Sequence, residues 1–138
     1  MHAKTMTSPE ILGFPEPLLE AKGALWTARE IAQQPAMLQA THALVASLAA
    51  QLRAFIAPLV DDPNARVILT GAGTSAYIGQ CLAPLLDRQL AARVEAVPTT
   101  DIVCPPHLYL DPGQPLLLVS SGRSGNSPES LAAVELAE

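Results

Sequence analysis

The stretch Ser120-Ser121-Gly122-Arg123-Ser124-Gly125-Asn126-Ser127-Pro128-Glu129-Ser130 constrains the fold more than any other part of the chain. It follows an apolar run, Pro115-Leu116-Leu117-Leu118-Val119, and precedes a helical pattern that begins near Leu131. A short apolar run, then glycines and hydroxyls, then a helix is the grammar of a strand-to-helix turn. Gly122 and Gly125 let the backbone bend sharply and approach a ligand closely. Ser127 followed by Pro128 marks a helix start, with serine as the N-cap and proline in the first helical position. The free N–H groups of such a start, together with the positive end of its dipole, attract an anion. An ordinary capped turn needs one or two polar residues, whereas Ser121, Arg123, Ser124, Asn126 and Ser127 crowd this one. The stretch is therefore expected to cradle a phosphate.

The same grammar occurs once before. Arg66-Val67-Ile68-Leu69-Thr70 reads as a buried strand, Gly71-Ala72-Gly73-Thr74-Ser75 as a turn, and a helix opens at about Ser75 with Ile78, Leu82, Leu85 and Leu86 on one face. Pro84 should kink that helix without ending it. Val94-Glu95-Ala96-Val97 is a second strand, left through Pro98-Thr99-Thr100-Asp101. His107 to Pro112 is a connection with room for a short helical turn, Leu116 to Ser120 the third strand, and a helix runs from Pro128 to the last residue. This alternation predicts an α/β fold with a parallel sheet flanked by helices. Both hydroxyl-rich turns then lie at the carboxyl ends of their strands, where open α/β sheets bind ligands. Thr99 and Thr100, with Ser121 and Asn126, are further candidates to line that site, although Thr99 to Asp101 would equally suit the cap of a turn. The run from Gly71 to Ala76 also satisfies the glycine fingerprint of dinucleotide folds, with Glu95 as a ribose-binding acid. That reading leaves the second serine loop unexplained, and the chain contains no nucleotide P-loop sequence.

The part ahead of the strands is expected to be helical. Residues 1–22, with Pro9, Pro15 and Pro17, read as an irregular arm with one short helical turn near Leu18. Residues 24–34 read as a short helix stopped by Pro35. A longer helix follows from about Ala36 to Ala57, where Met37, Leu44, Val45, Leu48, Leu52, Phe55 and Ile56 predict one buried stripe. Pro58 and Asp61-Asp62-Pro63-Asn64 should end it. The expected division is residues 1–35 as arm and short helix and residues 36–138 as the α/β domain. Trp26 suits either a core or an interface, Arg29 and Glu30 read as surface charges, His42 as solvated, and His107 fits no single role. A net charge of −5 argues against a broad nucleic-acid surface, so an anion must be held locally. Cys81 and Cys104 fit no metal spacing and read as reduced thiols. No stretch is long enough to span a membrane, and the N-terminus lacks the apolar core of a signal peptide. A soluble, cytoplasmic protein is expected, with no cofactor, no metal and no nucleic-acid or membrane partner.

Gly-Ala-Gly-Thr-Ser at 71–75, Val-Pro-Thr-Thr-Asp at 97–101 and Ser-Gly-Arg-Ser-Gly-Asn-Ser-Pro-Glu-Ser at 121–130 resemble the sugar isomerase (SIS) domain. Within that superfamily the chain is most similar to the tagatose-6-phosphate ketose/aldose isomerase, or galactosamine-6-phosphate deaminase/isomerase, group. The run from Thr27 to Pro35 resembles the segment that leads into the first domain of this group and of glucosamine-6-phosphate synthase. The resemblance spans residues 24–138 and implies a flavodoxin-like three-layer fold, incomplete here at about three strands. It places phosphate binders at Ser75, Arg123, Ser124 and Ser127, with Gly73 and Thr74 shaping the first loop. It further implies a homo-oligomeric aldose–ketose isomerase or deaminase acting on an amino-sugar or ketose phosphate. The alternative is a non-catalytic sugar-phosphate sensor within a regulator, which the absence of a basic recognition helix in residues 1–65 disfavours. Members of the family carry two SIS domains of more strands each, and this chain stops inside a helix with no terminating residue. An N-terminal fragment with a truncated first domain is therefore expected. Its catalytic acid and base would lie beyond residue 138, so the fragment alone should be inactive. Its open sheet edge and uncovered apolar face should make it poorly stable and prone to self-association.

Overall fold

The computed structural model describes residues 9–138, so the first eight residues of the expected arm lie outside the described part. The chain divides into two compact units, Met1–Ala50 and Gln51–Glu138.

In the first unit the expected irregular arm contains a small antiparallel hairpin, β1 (Glu10–Ile11) with β2 (Phe14–Pro15), joined through Leu12 and Gly13. Both turn residues have positive φ, 54° and 81°, as the tight turns that match strand twist require. α1 (Glu16–Ala21) supplies the helical turn expected near Leu18. It ends in a paired closure, with Gly23 N–H donating to the Glu20 carbonyl at 2.9 Å and Ala24 N–H to the Leu19 carbonyl at 2.8 Å. Gly23 takes the left-handed conformation this closure needs, φ 66°. Arg29 is exposed, as expected of a surface charge, and it donates to Glu16 of α1 at 3.2 Å and lies 5.3 Å from the Trp26 ring.

α2 (Leu25–Ser47) corrects two expectations. It runs straight through Pro35, and the break comes at Leu48, before α3 (Ala49–Val60), which in turn contains Pro58. An interior proline costs about 3 kcal/mol through one lost N–H bond and a clash with the carbonyl four residues back. Strong helix formers on both sides of Pro35 (Ala32, Gln33, Gln34, Ala36, Met37, Leu38) offset that loss. The predicted buried stripe is instead exposed. Met37, Leu44 and Val45 are each more than half exposed, Phe55 is 67% exposed, Leu48 and Leu52 are also exposed, and only Ile56 is half-buried. The periodicity reports an apolar face correctly but carries no information about what covers it. Among the described residues, no single helix is long and apolar enough to cross a membrane.

The second unit is the expected parallel α/β layer structure. β3 (Arg66–Gly71), β4 (Arg93–Ala96) and β5 (Leu116–Ser121) form one parallel sheet in the order β4-β3-β5. β3 is central and is covered on both faces. Val67 and Leu69 pack with Ala65, Ala83, Ala92 and Val94 on the side of α4 (Thr74–Leu86). Ile68, fully buried, packs on the other side with Val97 just past β4, Ile102 of α5 (Thr99–Val103) and Ala133 of α6 (Pro128–Ala137). Such two-sided burial explains why β3 reads as a continuous apolar run and not as an alternating one. α4 lies tight on the sheet because Gly79 has no side chain: a Cβ there would stand 3.0 Å from the Leu69 carbonyl oxygen. The helix continues through Pro84 as expected. The connection after Cys104 contains the short helical turn, a 3₁₀ turn at Pro106–Leu108.

Glu95 is committed to the fold. Arg66 grips its Oε1 through two guanidinium nitrogens, the Nε contact at 2.8 Å, and donates a third bond to the Tyr109 carbonyl at 2.7 Å. The Glu95 carboxylate is thus tied back to the first residue of β3, away from the carboxyl edge, and cannot serve as a ribose-binding acid there. Removing it would leave the largely buried Arg66 guanidinium without its counter-charge. Glu95→Ala is expected to lower stability by about 1–3 kcal/mol in urea denaturation while phosphate affinity stays at the wild-type value. A wild-type midpoint would show that the ion pair contributes nothing to the fold.

Candidate functional site

The two hydroxyl-rich turns are brought together by strand register. Thr70 lies opposite Ser120 and Gly71 opposite Ser121 in the β3–β5 pairing, so both turns leave the sheet side by side at its carboxyl edge. The first turn is shaped by glycines. A Cβ on Gly71 would fall 2.8 Å from the backbone carbon of Ser75, so only glycine lets the start of α4 fold back this closely. Gly73 caps α4 with φ 57° and ψ −126°, a combination essentially reserved for glycine, and no side chain caps the helix start. Ser75 N–H donates to the Ala72 carbonyl at 3.2 Å, closing the turn.

The second turn is held from within. Gly125 adopts φ 69°. Ser124 Oγ accepts from Asn126 N–H at 3.5 Å, and Ser127 caps α6 by accepting from Ser130 N–H at 3.3 Å. Ser127 Oγ also donates to Ser130 Oγ at 2.8 Å. Among the described residues, the backbone N–H groups of Arg123, Ser124 and Gly125 have no protein acceptor. Arg123 makes no ion pair among them either.

Between the turns lies a cavity of about 160 Å³. Ala72 and Ser75 line it from the first turn, residues 121–125 from the second, and Ser127 and Ser130 from the start of α6. Its only ionised side chain is that of Arg123, and no carboxylate or imidazole reaches it. Pockets that enclose a whole small ligand measure roughly 300–1,000 Å³, so this one suits a single charged head group with the remainder of the ligand outside. Hydroxyls, unsatisfied amides, two helix starts and one guanidinium are together the groups that can hold an anion.

Of the candidate residues, Ser75, Ser121, Arg123, Ser124 and Ser127 meet at this cavity. Gly73 and Thr74 form the start of α4 without lining it. Thr99 does not line it: it is fully buried in the first turn of α5, and its hydroxyl has no protein partner. Thr100 is exposed and donates to Asp101 at 3.3 Å, and Asn126 points outside the lining. Ala72 and Ser130 complete the cavity without having been singled out as site residues. The signal for Ser130 is its position three residues after the N-cap, where a capping box places a side chain back over the helix start.

With this geometry in place, similarity to known proteins becomes specific. The chain is 52% identical over 122 residues to the D-galactosamine-6-phosphate deaminase AgaS of Shewanella sp. (strain ANA-3), covering 84% of this chain and 31% of the relative. It is 52% identical over 112 residues to the AgaS of Escherichia coli, covering 81% and 29%. The crystal structure of tagatose-6-phosphate ketose/aldose isomerase from Escherichia coli superposes with a TM-score of 0.78 at 50% identity, over 85% of this chain and 32% of that one. This chain is a relative of that isomerase and deaminase group. A protein from Clostridium novyi NT, provisionally assigned as a tagatose-6-phosphate ketose/aldose isomerase, superposes with a TM-score of 0.88 at 40% identity, over 94% of this chain and 33% of that one. No protein-family model matches the chain. The chain spans about a third of the length of these relatives.

The cradle depends on Gly71 although Gly71 does not line it. Gly71→Ala is expected to displace the first turn of α4 with Ser75 and to weaken phosphate binding at least roughly fivefold, since a Cβ at that distance from backbone cannot be absorbed by a side-chain rotation. Isothermal titration with inorganic phosphate measures it, and an unchanged dissociation constant would show that the α4 start is not part of the site.

Proposed function

We propose that this chain binds the phosphate of a phosphorylated amino sugar or ketose, as part of an aldose–ketose isomerase or deaminase. The single observation that carries the reading is the small cavity where Arg123, a ring of serine hydroxyls and the unsatisfied amides of residues 123–125 converge. Relatives named for galactosamine 6-phosphate and tagatose 6-phosphate support the class of ligand. Three or four charge-assisted hydrogen bonds of about 1.5–3 kcal/mol each would hold the phosphate, less the cost of desolvating and ordering both sides.

The chemistry is divided in space. A phosphate on carbon 6 stays unchanged while a base moves a proton between carbons 1 and 2, through an enediol in isomerisation or, for an amino sugar, through an enolamine. The enolamine tautomerises to an imine at carbon 2, to which water adds before the C–N bond breaks and ammonia leaves. Because the cavity admits only the head group, carbons 1 and 2 extend away from it. No side chain in its lining can act as a general base, so the base belongs to another part of the intact protein. The contribution of this cradle is orientation, and contacts that persist unchanged from substrate to transition state affect KM more than kcat.

Calorimetric titration with tagatose 6-phosphate, galactosamine 6-phosphate and the unphosphorylated sugars tests the reading. Only the phosphorylated forms should bind, and Arg123→Ala should weaken them by roughly 10- to 100-fold, the equivalent of one charge-assisted hydrogen bond. Equal losses for phosphorylated and unphosphorylated sugars would remove the phosphate role from Arg123. The 138-residue chain should turn over neither phosphate. An intact protein that binds without turnover would instead be a sugar-phosphate sensor.

A further inference from the structure

Ser127 has two duties for one hydroxyl. As the N-cap of α6 its oxygen accepts from Ser130 N–H at 3.3 Å, and as a member of the cradle it must donate a hydrogen to an anionic oxygen. A hydroxyl has one hydrogen and two acceptor lone pairs. Without an anion, that hydrogen is directed to Ser130 Oγ, 2.8 Å away. Ser130 is itself buried and lines the same cavity.

Resting on the phosphate reading above, we infer that Ser130 is a positioning residue that frees Ser127 for the anion by reversing the hydrogen bond between them. When a phosphate enters, Ser127 turns its hydrogen toward a phosphate oxygen. The Ser130 hydroxyl then donates to Ser127 Oγ across the same gap. Ser127 Oγ now accepts two bonds, from the N–H and the O–H of Ser130, and donates one, so every site on the hydroxyl is used. Accepting two bonds polarises the O–H and strengthens its bond to the anion. The helix cap survives the exchange, because the N–H of residue 130 keeps its acceptor throughout.

The choice of residue at 130 supports this role. A capping box ordinarily places glutamate or glutamine three residues after the N-cap, reaching back to the N-cap backbone N–H. A glutamate here would bring a carboxylate into a cavity built for an anion. Serine is too short to reach that backbone group, and it meets the N-cap hydroxyl instead. It supplies a neutral group that can either accept from Ser127 or donate to it.

The test titrates inorganic phosphate into the 138-residue chain and its variants, with amide exchange at position 130 as a separate report on the helix cap. Ser130→Ala is expected to keep the cap and its exchange protection but to lose roughly fivefold to tenfold in phosphate affinity, one neutral hydrogen bond. Ser130→Thr, which restores a hydroxyl, should return affinity to within about twofold of wild type. Ser127→Ala should lose both the protection and the affinity. A Ser130→Ala variant that binds phosphate like wild type, or a loss that Ser130→Thr does not recover, overturns the positioning role. If Ser127→Ala also binds like wild type, the phosphate cradle falls with it.

Discussion

The parallel pairing of β3 with β5, which sets Gly71 opposite Ser121, is the contact on which the rest of the second unit depends. Each strand ends where its turn begins, so a shift of register by one residue would move one turn along the edge and flip every β3 side chain to the other face. Register is held by burial on both sides: Val67 and Leu69 face α4 while Ile68 faces α5 and α6. A slipped β3 would exchange these sets and bring Thr70 into the α4 core. Parallel strands have no hairpin to fix their alignment, so the fit of these few side chains does the work that a turn does elsewhere.

Around this rigid centre the surface is uneven. Both β4 and β5 are edges of the three-stranded sheet, and beside β5 lies an apolar hollow of about 320 Å³ formed with Phe55, Leu59 and Val134. α4 presents Tyr77, Ile78, Leu82 and Leu85 outward, a stripe at helical spacing. These apolar faces contrast with the polar cavity at the carboxyl edge. The cavity differs in kind: its walls are backbone, hydroxyls and one cation, held by hydrogen bonds that belong to two helix starts.

What was legible in the sequence was local. The strands, the glycine turns and the serine-proline helix start follow from a handful of adjacent residues, and the structure forms them within about a residue of the expected ends. The five serine and arginine residues at the cavity were readable because a capped turn has no use for so many donors. What failed was non-local. Pro35 and Pro58 read as helix ends, yet one missing N–H is a small loss against the many bonds of a long helix. The stripe from Met37 to Phe55 has helical spacing, but spacing cannot say whether a neighbour covers it. Thr99, which follows β4 at the carboxyl edge, suited either site lining or the start of the next turn, and the structure places it in the first turn of α5. There its side chain is fully buried. Ser130 is not readable as a cavity residue because its link to the first residues of the turn runs through the Ser127 hydroxyl, one helical turn before it.

The most direct test of the central claim is a heteronuclear NMR titration of the chain with inorganic phosphate. The cradle predicts saturable amide shifts at Ser75, residues 122–127 and Ser130, with none along α2 or at the Arg66–Glu95 pair. Saturable shifts centred elsewhere, such as the cavity beside Cys81 and Arg88, or no saturable shifts at all, would contradict it.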